Sequence, residues 1–240
     1  LGIIETQGEE IGKLAKAAGA EFIVYTDPIS LGVLEAPANY GATICVGDLH
    51  GLGLHLNFGG GQAGFIASHD DMRYITEFKE LVDGMVETTV PEEQGYSVVL
   101  IERTHYAMRE NGKEFTGTQN NLWTAPVAVY LSLMGPKGME EIGHTIMTNA
   151  KYAAKKLAGI PGVSLRFPSV FFKEFVVNFD KTGKTVEEIN QLLLSRQIFG
   201  GVDLSRDYPE LGQSALYCVT ETADKESIDR LAGALQAILN

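Results

Sequence analysis

Asp27 closes the apolar run Glu21 to Thr26 (EFIVYT), and a carboxylate at the C-terminal end of such a strand stands where ligands bind in open α/β sheets. There it can pair with a protonated ring nitrogen of a bound cofactor; the plainer reading is a turn or cap aspartate before Pro28. The five histidines, His50, His55, His69, His105 and His144, form no i, i+4 pair around a glutamate and flank no cysteine pair, so a zinc site is not expected. No G-x-S-x-G elbow presents a serine nucleophile. Gly59 to Gly64 (GGGQAG) matches G-x-G-x-x-G but runs into the strand-like Phe65-Ile66-Ala67, where a dinucleotide site needs a helix N-terminus facing the pyrophosphate. A glycine-rich turn is the expectation. One absence bears on chemistry directly: no lysine occurs from Ala17 to Phe78, so nothing in that stretch can form a Schiff base.

The elements that must position these residues alternate. Gly2 to Glu5 is a short apolar run, and Ile11, Leu14, Ala15 and Ala18 have helical spacing over Glu9 to Ala18, ending at Gly19. With Glu21 to Thr26 as a buried parallel strand, this predicts a β-α-β opening and an α/β sheet with right-handed crossovers. Ala42 to Val46 and Gly64 to Ala67 read as further strands, and Ser97 to Glu102 as a strand or the start of a helix. Near residue 125 the pattern changes. Thr124 to Met134 is apolar almost throughout, with Pro126 near its start, where a helix tolerates proline. Lys137 to Leu157 reads as a long amphipathic helix. Beyond it come a strand pair (Val163 to Phe167, Glu174 to Phe179), a helix from Thr185 to Arg196, a strand from Ala215 to Thr220 and a helix from Lys225 to Leu239. Thr185 and Glu188 have capping-box spacing. The expected division is a partial large α/β domain over residues 1–125 and a small α+β domain with an antiparallel sheet over residues 126–240.

With 240 residues, 45% hydrophobic and 21% charged, the chain is long enough for one large domain or two modest ones. A formal charge of −12 argues against binding a phosphate backbone, and no run approaches the roughly 20 apolar residues of a membrane span. No basic segment followed by an apolar run opens the chain, so no secretory leader is expected, and the cytoplasm is the expected location. The start at Leu1, directly before a strand-like run, is expected of a piece of a longer protein. Cys45 and Cys218 each sit in an apolar run and are expected to be two buried thiols in a reducing compartment.

Four blocks, read in order, resemble one family. They are Asp27 to Pro37 (DPISLGVLEAP) with Tyr40 to Ala42; Leu54 to Gly60 (LHLNFGG) with Gly64 to Ala67 (GFIA); Phe172 to Val177 (FKEFVV); and Gly200 to Leu204 (GGVDL) with Asp207 to Leu211 (DYPEL) and Val219 to Glu221. Together they resemble the P-protein family of the glycine cleavage system (glycine dehydrogenase, decarboxylating), specifically the C-terminal part of its subunit 1, the alpha subunit. The resemblance extends over essentially the whole chain, and the fourth block is the most specific.

The resemblance implies the α/β fold of pyridoxal-phosphate fold type I (aspartate aminotransferase-like), here as a partial, mostly parallel sheet plus the small domain. It implies a part in pyridoxal-phosphate-dependent glycine decarboxylation with aminomethyl transfer to the lipoyl carrier H-protein. In that family a lysine following a histidine holds the cofactor, about two dozen residues after the strand-end aspartate. Asp27 matches the aspartate and His50 the histidine, as cofactor-binding, vestigial or structural residues, but the lysine position is Gly51. This fits the first of two subunits, with the cofactor on the homologous subunit 2, and no catalytic residue is assigned to this chain. The family's basic segment (Arg-Arg-Glu-Lys, then Ala-Thr-Ser-Asn) is only partly kept. Arg103, Arg109 and Glu110 match, while Asn111 to Phe115 replace the lysine and the small polar residues. These three are candidate interface or site residues, with solvated or structural roles equally open. The departure leaves an alternative, a non-catalytic assembly or regulatory relative. Another fold-type I enzyme, such as a cysteine desulfurase or aminotransferase, is disfavoured by the missing lysine. A half-sheet would leave a strand edge and apolar surface exposed, so a homo- or hetero-oligomer is expected.

Overall fold

A computed structural model describes residues 1–54, 62–114 and 120–240. The glycine-rich stretch 59–61, His55, most of the Leu54 to Gly60 block and Phe115 lie outside the described residues. The chain divides into two compact units, one of Glu9–Pro28 and Ala36–Ser132, the other of Leu1–Gly8, Ile29–Glu35 and Leu133–Asn240.

The first unit opens on helix α1 (Gly8–Ala17), whose buried residue is Gly12. A Cβ at Gly12 would lie 2.5 Å from the Tyr40 carbonyl oxygen and 3.4 Å from the Phe22 ring, so glycine is what lets the helix sit this close. Strand β1 (Ile23–Tyr25) pairs in parallel with β2 (Ile44–Asp48), and β2 pairs antiparallel with β3 (Gly64–Ser68). The β-α-β opening expected from residue 2 is not formed: Ile3 makes an isolated antiparallel bridge to Phe171 instead. Nor is β1 buried as expected, for Ile23 and Tyr25 are 57% and 68% exposed, the strand being flanked by a partner on one side only among the described residues.

A short helix, α2 (Met72–Ile75), capped by the Asp71 side chain, precedes the hairpin of β4 (Val82–Glu87) and β5 (Gln94–Val99). Leu100 then turns into the left-handed region at φ 55° and starts a 3-10 turn over Ile101–Arg103, so the sequence after Val99 is neither strand nor long helix. Arg103 is 7% exposed, and its guanidinium donates to the carbonyls of Phe78 and Glu80. It thereby ties the 3-10 turn and the following helix α3 (His105–Met108) to the lead-in of β4. Helix α4 (Thr124–Ala158) is interrupted at Gly135 (φ 60°, ψ 179°), just before Pro136. Proline disfavours a helical conformation for the residue before it, and glycine supplies the positive φ.

In the second unit, strands β6 (Ser164–Leu165) and β7 (Glu174–Asn178), helix α5 (Val186–Leu194), strands β8 (Val202–Asp203) and β9 (Ser214–Cys218), and helix α6 (Lys225–Leu239) form an antiparallel sheet of order β6-β7-β9-β8 with its helices. The capping box is made: Thr185 accepts from the Glu188 N–H while the Glu188 carboxylate accepts from the Thr185 N–H. Phe175 and Val177 share one sheet face with their register partners Tyr217 and Ala215, as period 2 requires. They form a core with Ala150, Ala153, Ala154 and Leu157 of α4, Ile189 and Leu193 of α5 and Leu235 of α6. The alternate residue Val176 packs on the other face with Leu204 and Leu211. Between α4 and α6 the Asp229 carboxylate accepts from the Tyr152 hydroxyl at 2.7 Å and pairs with Lys156 at 3.0 Å and with Lys225.

Neither thiol is fully buried, contrary to expectation. Cys45 is half-buried in β2 and Cys218 is exposed at the end of β9, where the sheet stops. Partial burial still pushes the Cys45 thiol up. No helix among the described residues is long and apolar enough to cross a membrane, and these residues contain no cluster of metal-ligating side chains.

Three outcomes follow from this packing. Arg103→Met strands the Phe78 and Glu80 carbonyls and should cost the first unit about 2–6 kcal/mol; an unchanged denaturation midpoint would contradict the role. Thr185→Ala should cost the second unit about 1 kcal/mol, against about 2–5 kcal/mol for Leu193→Ala in the core, both read by urea denaturation. The third is a pH dependence. Lys225 foremost, then the Tyr152 hydroxyl and Lys156, hold the Asp229 carboxyl well below the usual carboxylate range. A lowered folded pKa gives stability that is present above the unfolded value, about 3.9, and lost as pH falls through the folded value. The Tm of the second unit should therefore drop below about pH 4, less steeply in Asp229→Asn. Equal slopes would mean that the network contributes nothing.

Candidate functional site

Parallel pairing brings the C-terminal ends of β1 and β2 to the same edge of the sheet. Tyr25 lies opposite Val46, and the Thr26 N–H donates to the Val46 carbonyl at 2.9 Å. Asp27 after β1, and Asp48 at the end of β2 with Leu49 and His50 after it, therefore emerge at the same, C-terminal, end of the pair. Asp27 is half-buried. Asp48 is a hub that sequence reasoning missed: one carboxylate oxygen accepts from the Tyr25 hydroxyl at 2.7 Å and the other from the His50 N–H at 3.1 Å. Two residues separated by a whole crossover leave no local signal, although each ends an apolar run.

Gly51 sits in a tight turn, closed by the Leu52 N–H donating to the Leu49 carbonyl at 3.0 Å. Leu52 anchors the turn at 2% exposure. Gly53 follows at φ 81°, where an added Cβ would lie 3.1 Å from the Tyr130 ring. Beside the turn is a cleft of about 590 Å³ lined by Asp48, His50, Gln62, Ala63, Gly64 and Asn120. Its donors and acceptors are carboxylate, imidazole and amide groups.

The fit to pyridoxal phosphate can be tested on this donor set. Covalent attachment needs a primary amine, and the lining residues contain none; the stretch from Ala17 to Phe78 has no lysine at all. The exposed turn at Gly51 offers only backbone. Asp27 is of the right type and at the right strand end to face a ring nitrogen, but this chain cannot hold the group covalently here.

The other candidate residues fall on the segment after β5. Arg103 is spent on backbone carbonyls of its own unit. Arg109, at φ 50°, and Glu110 are exposed on a short 3-10 turn. Next to them lies a buried acid that sequence reasoning passed over. The Glu114 side chain is fully buried and one of its oxygens accepts from the His105 N–H and pairs with the His105 ring. Burial pushes its carboxyl up, but hydrogen bonds from the backbone N–H of His105 and of Glu114 itself, together with the His105 ring, outweigh it and hold the carboxyl below its usual range.

The family model of the glycine cleavage system P-protein matches residues 2–235. A probable glycine dehydrogenase (decarboxylating) subunit 1 of Pyrococcus furiosus is 36% identical over 238 residues, 99% of this chain and 52% of that protein. The crystal structure of glycine decarboxylase (P-protein) of the glycine cleavage system, in inhibitor-bound form, superimposes with a TM-score of 0.86 at 30% identity, over 96% of this chain and 51% of that one. A NifS-like protein from Rickettsia africae shares the fold alone, with a TM-score of 0.65 at 16% identity over 99% of this chain and 58% of that one. The chain thus spans about half the length of the relatives it matches. It belongs to the P-protein family of the glycine cleavage system, with the α/β fold of pyridoxal-phosphate fold type I.

Proposed function

We propose that this chain supplies part of a glycine decarboxylase, as the C-terminal part of its subunit 1, and that it works only with a homologous subunit 2. The observation that carries this reading is the family match over residues 2–235 in a chain whose lysine position is Gly51. The complete enzyme uses pyridoxal phosphate as the electron sink for glycine decarboxylation, with the cofactor on subunit 2 and the aminomethyl group passed to the lipoyl H-protein. Oligomerisation and a cytoplasmic location belong to the same reading.

This chain's own residues hold geometry. Asp48 fixes the turn that follows β2 by binding the His50 N–H and the Tyr25 hydroxyl. The Leu49–Leu52 turn presents His50 beside the cleft. Asp27 supplies a carboxylate at the adjacent strand end. Arg109 and Glu110, exposed on their turn, are proposed as interface residues, whereas Arg103 holds the segment that carries them.

Exchange of labelled CO2 into the glycine carboxyl tests the reading with this chain, a P-protein subunit 2 and their mixture, each supplied with H-protein and pyridoxal phosphate. Exchange should rise well above either component only in the mixture. Exchange by this chain alone, or a mixture no better than subunit 2 alone, would sink it.

A further inference from the structure

In the second unit, helices α4 and α6 leave a groove of about 560 Å³ between them. Its charges are unbalanced. Asp229 is the one carboxylate among the lining residues. Lys156, at 3.0 Å, and Lys225 form ion pairs with it, and Lys155 adds a third ammonium group to the rim. Three ammonium groups against one carboxylate leave an excess of two positive charges, in a chain whose formal charge is −12. Lys156 and Lys225 also lie 5.3 and 5.6 Å from the centre of the Tyr152 ring, within cation–π reach, so carboxylate and ring hold both at one place. Hydrogen bonds to Asp229 and then Tyr152 push both ammonium groups up, so they act as fixed charges and not as amine nucleophiles. Each carries three N–H donors and keeps some for a further acceptor.

Gly233 points to an occupant. It lies within α6 and lines the groove, although glycine weakens a helix relative to alanine. Packing explains other helical glycines: a Cβ at Gly12 would stand 2.5 Å from the Tyr40 carbonyl oxygen, and one at Gly143 would stand 2.9 Å from a Val33 methyl. A Cβ at Gly233 meets nothing within 4 Å. No protein atom uses the space that this glycine leaves open.

We propose that the α4–α6 groove is a binding site for a phosphate group, free or carried on a small organic molecule. Ammonium groups bind phosphate as point charges. Lys155 and Lys156 supply them from α4 and Lys225 from α6, with the Gln236 amide as a neutral donor. A dianion balances an excess of two charges, which a single carboxylate does not. Ile160, Ala232 and the Tyr152 ring give the groove an apolar wall for the carbon part of an ester. The cleft beside Asp48 and His50 has no lysine or arginine in its lining and belongs to the other unit, so the groove is a separate site. The proposal is independent of the decarboxylase reading.

The test is a titration of the whole chain with inorganic phosphate at constant ionic strength, with chloride as the control, followed by amide NMR shifts. The amides of residues 152–160 and 229–236 should shift saturably, while those of residues 48–50 stay in place. Phenyl phosphate separates the two sources: tighter binding than inorganic phosphate assigns the groove to a phosphoester, and equal binding assigns it to free phosphate. Lys155→Gln and Lys156→Gln should each weaken binding about three- to tenfold, and the double variant should show no saturation. Gly233→Leu should fill the groove and block binding. Gly233→Ala should raise the Tm, because it replaces a helix glycine that nothing packs against. Retained amide dispersion over α5 and β7–β9 shows that the variants still fold. The proposal is overturned if phosphate shifts the groove amides no more than chloride does. It is equally overturned if the double lysine variant or Gly233→Leu binds as the parent chain does, or if Gly233→Ala lowers the Tm.

Discussion

Everything placed at the candidate site depends on one backbone constraint, the parallel pairing of β1 with β2. Because β1 and β2 run in parallel, with Tyr25 opposite Val46 and β2 continuing two residues further to Asp48, the polar residues at their C-terminal ends share one rim. The Tyr25 hydroxyl reaches across to Asp48, and the same carboxylate restrains the backbone of His50. Parallel pairing also sets a demand for cover on both faces. α1 meets it on the Phe22 face alone, where Gly12 permits close approach. The rim and the open face are thus two consequences of the same pairing.

Much of this was legible in the sequence wherever the signal was local. The Thr185–Glu188 box opens α5, the periodic run from Lys225 to Leu239 is α6 to the residue, and Gly135-Pro136 breaks the apolar run Thr124–Met134 from the amphipathic one after it. Signals that depend on distant residues were not legible. β4 hides because Gly84 occupies an inward position where Val99 leaves no room for a side chain, while Met85 points outward at 62% exposure, so its alternation looks inverted. The Gly2 to Glu5 run is too short to choose its own partner, and Phe171 captured Ile3 from far along the chain. Asp27 could be named because it closes an apolar strand, and His50 through the family resemblance. Asp48, the group that organises their surroundings, drew no notice, since its value lies in a hydroxyl 23 residues away.

The chemistry is bounded by what side chains can and cannot supply. Carboxylate, imidazole and amide groups around the Asp48 cleft can bind, orient and exchange protons, but none can replace a primary amine in a Schiff base. Arg103, a cation for which functional and structural roles were both open, ties two carbonyls of its own unit. The buried Glu114 carboxylate likewise has one oxygen engaged with the part-exposed His105, its partner within the same segment. The relatives that the chain matches are about twice its length.

The central claim is that this chain has no lysine able to hold pyridoxal phosphate, and the most direct test is to look for one. The purified chain is incubated with pyridoxal phosphate over a range of concentrations, reduced with borohydride, digested and mapped by mass spectrometry. The account predicts no saturable visible band and only scattered, substoichiometric labelling of surface lysines. A single lysine labelled stoichiometrically and saturably would contradict it, and would place a cofactor-binding amine where neither the strand ends nor the Gly51 turn provides one.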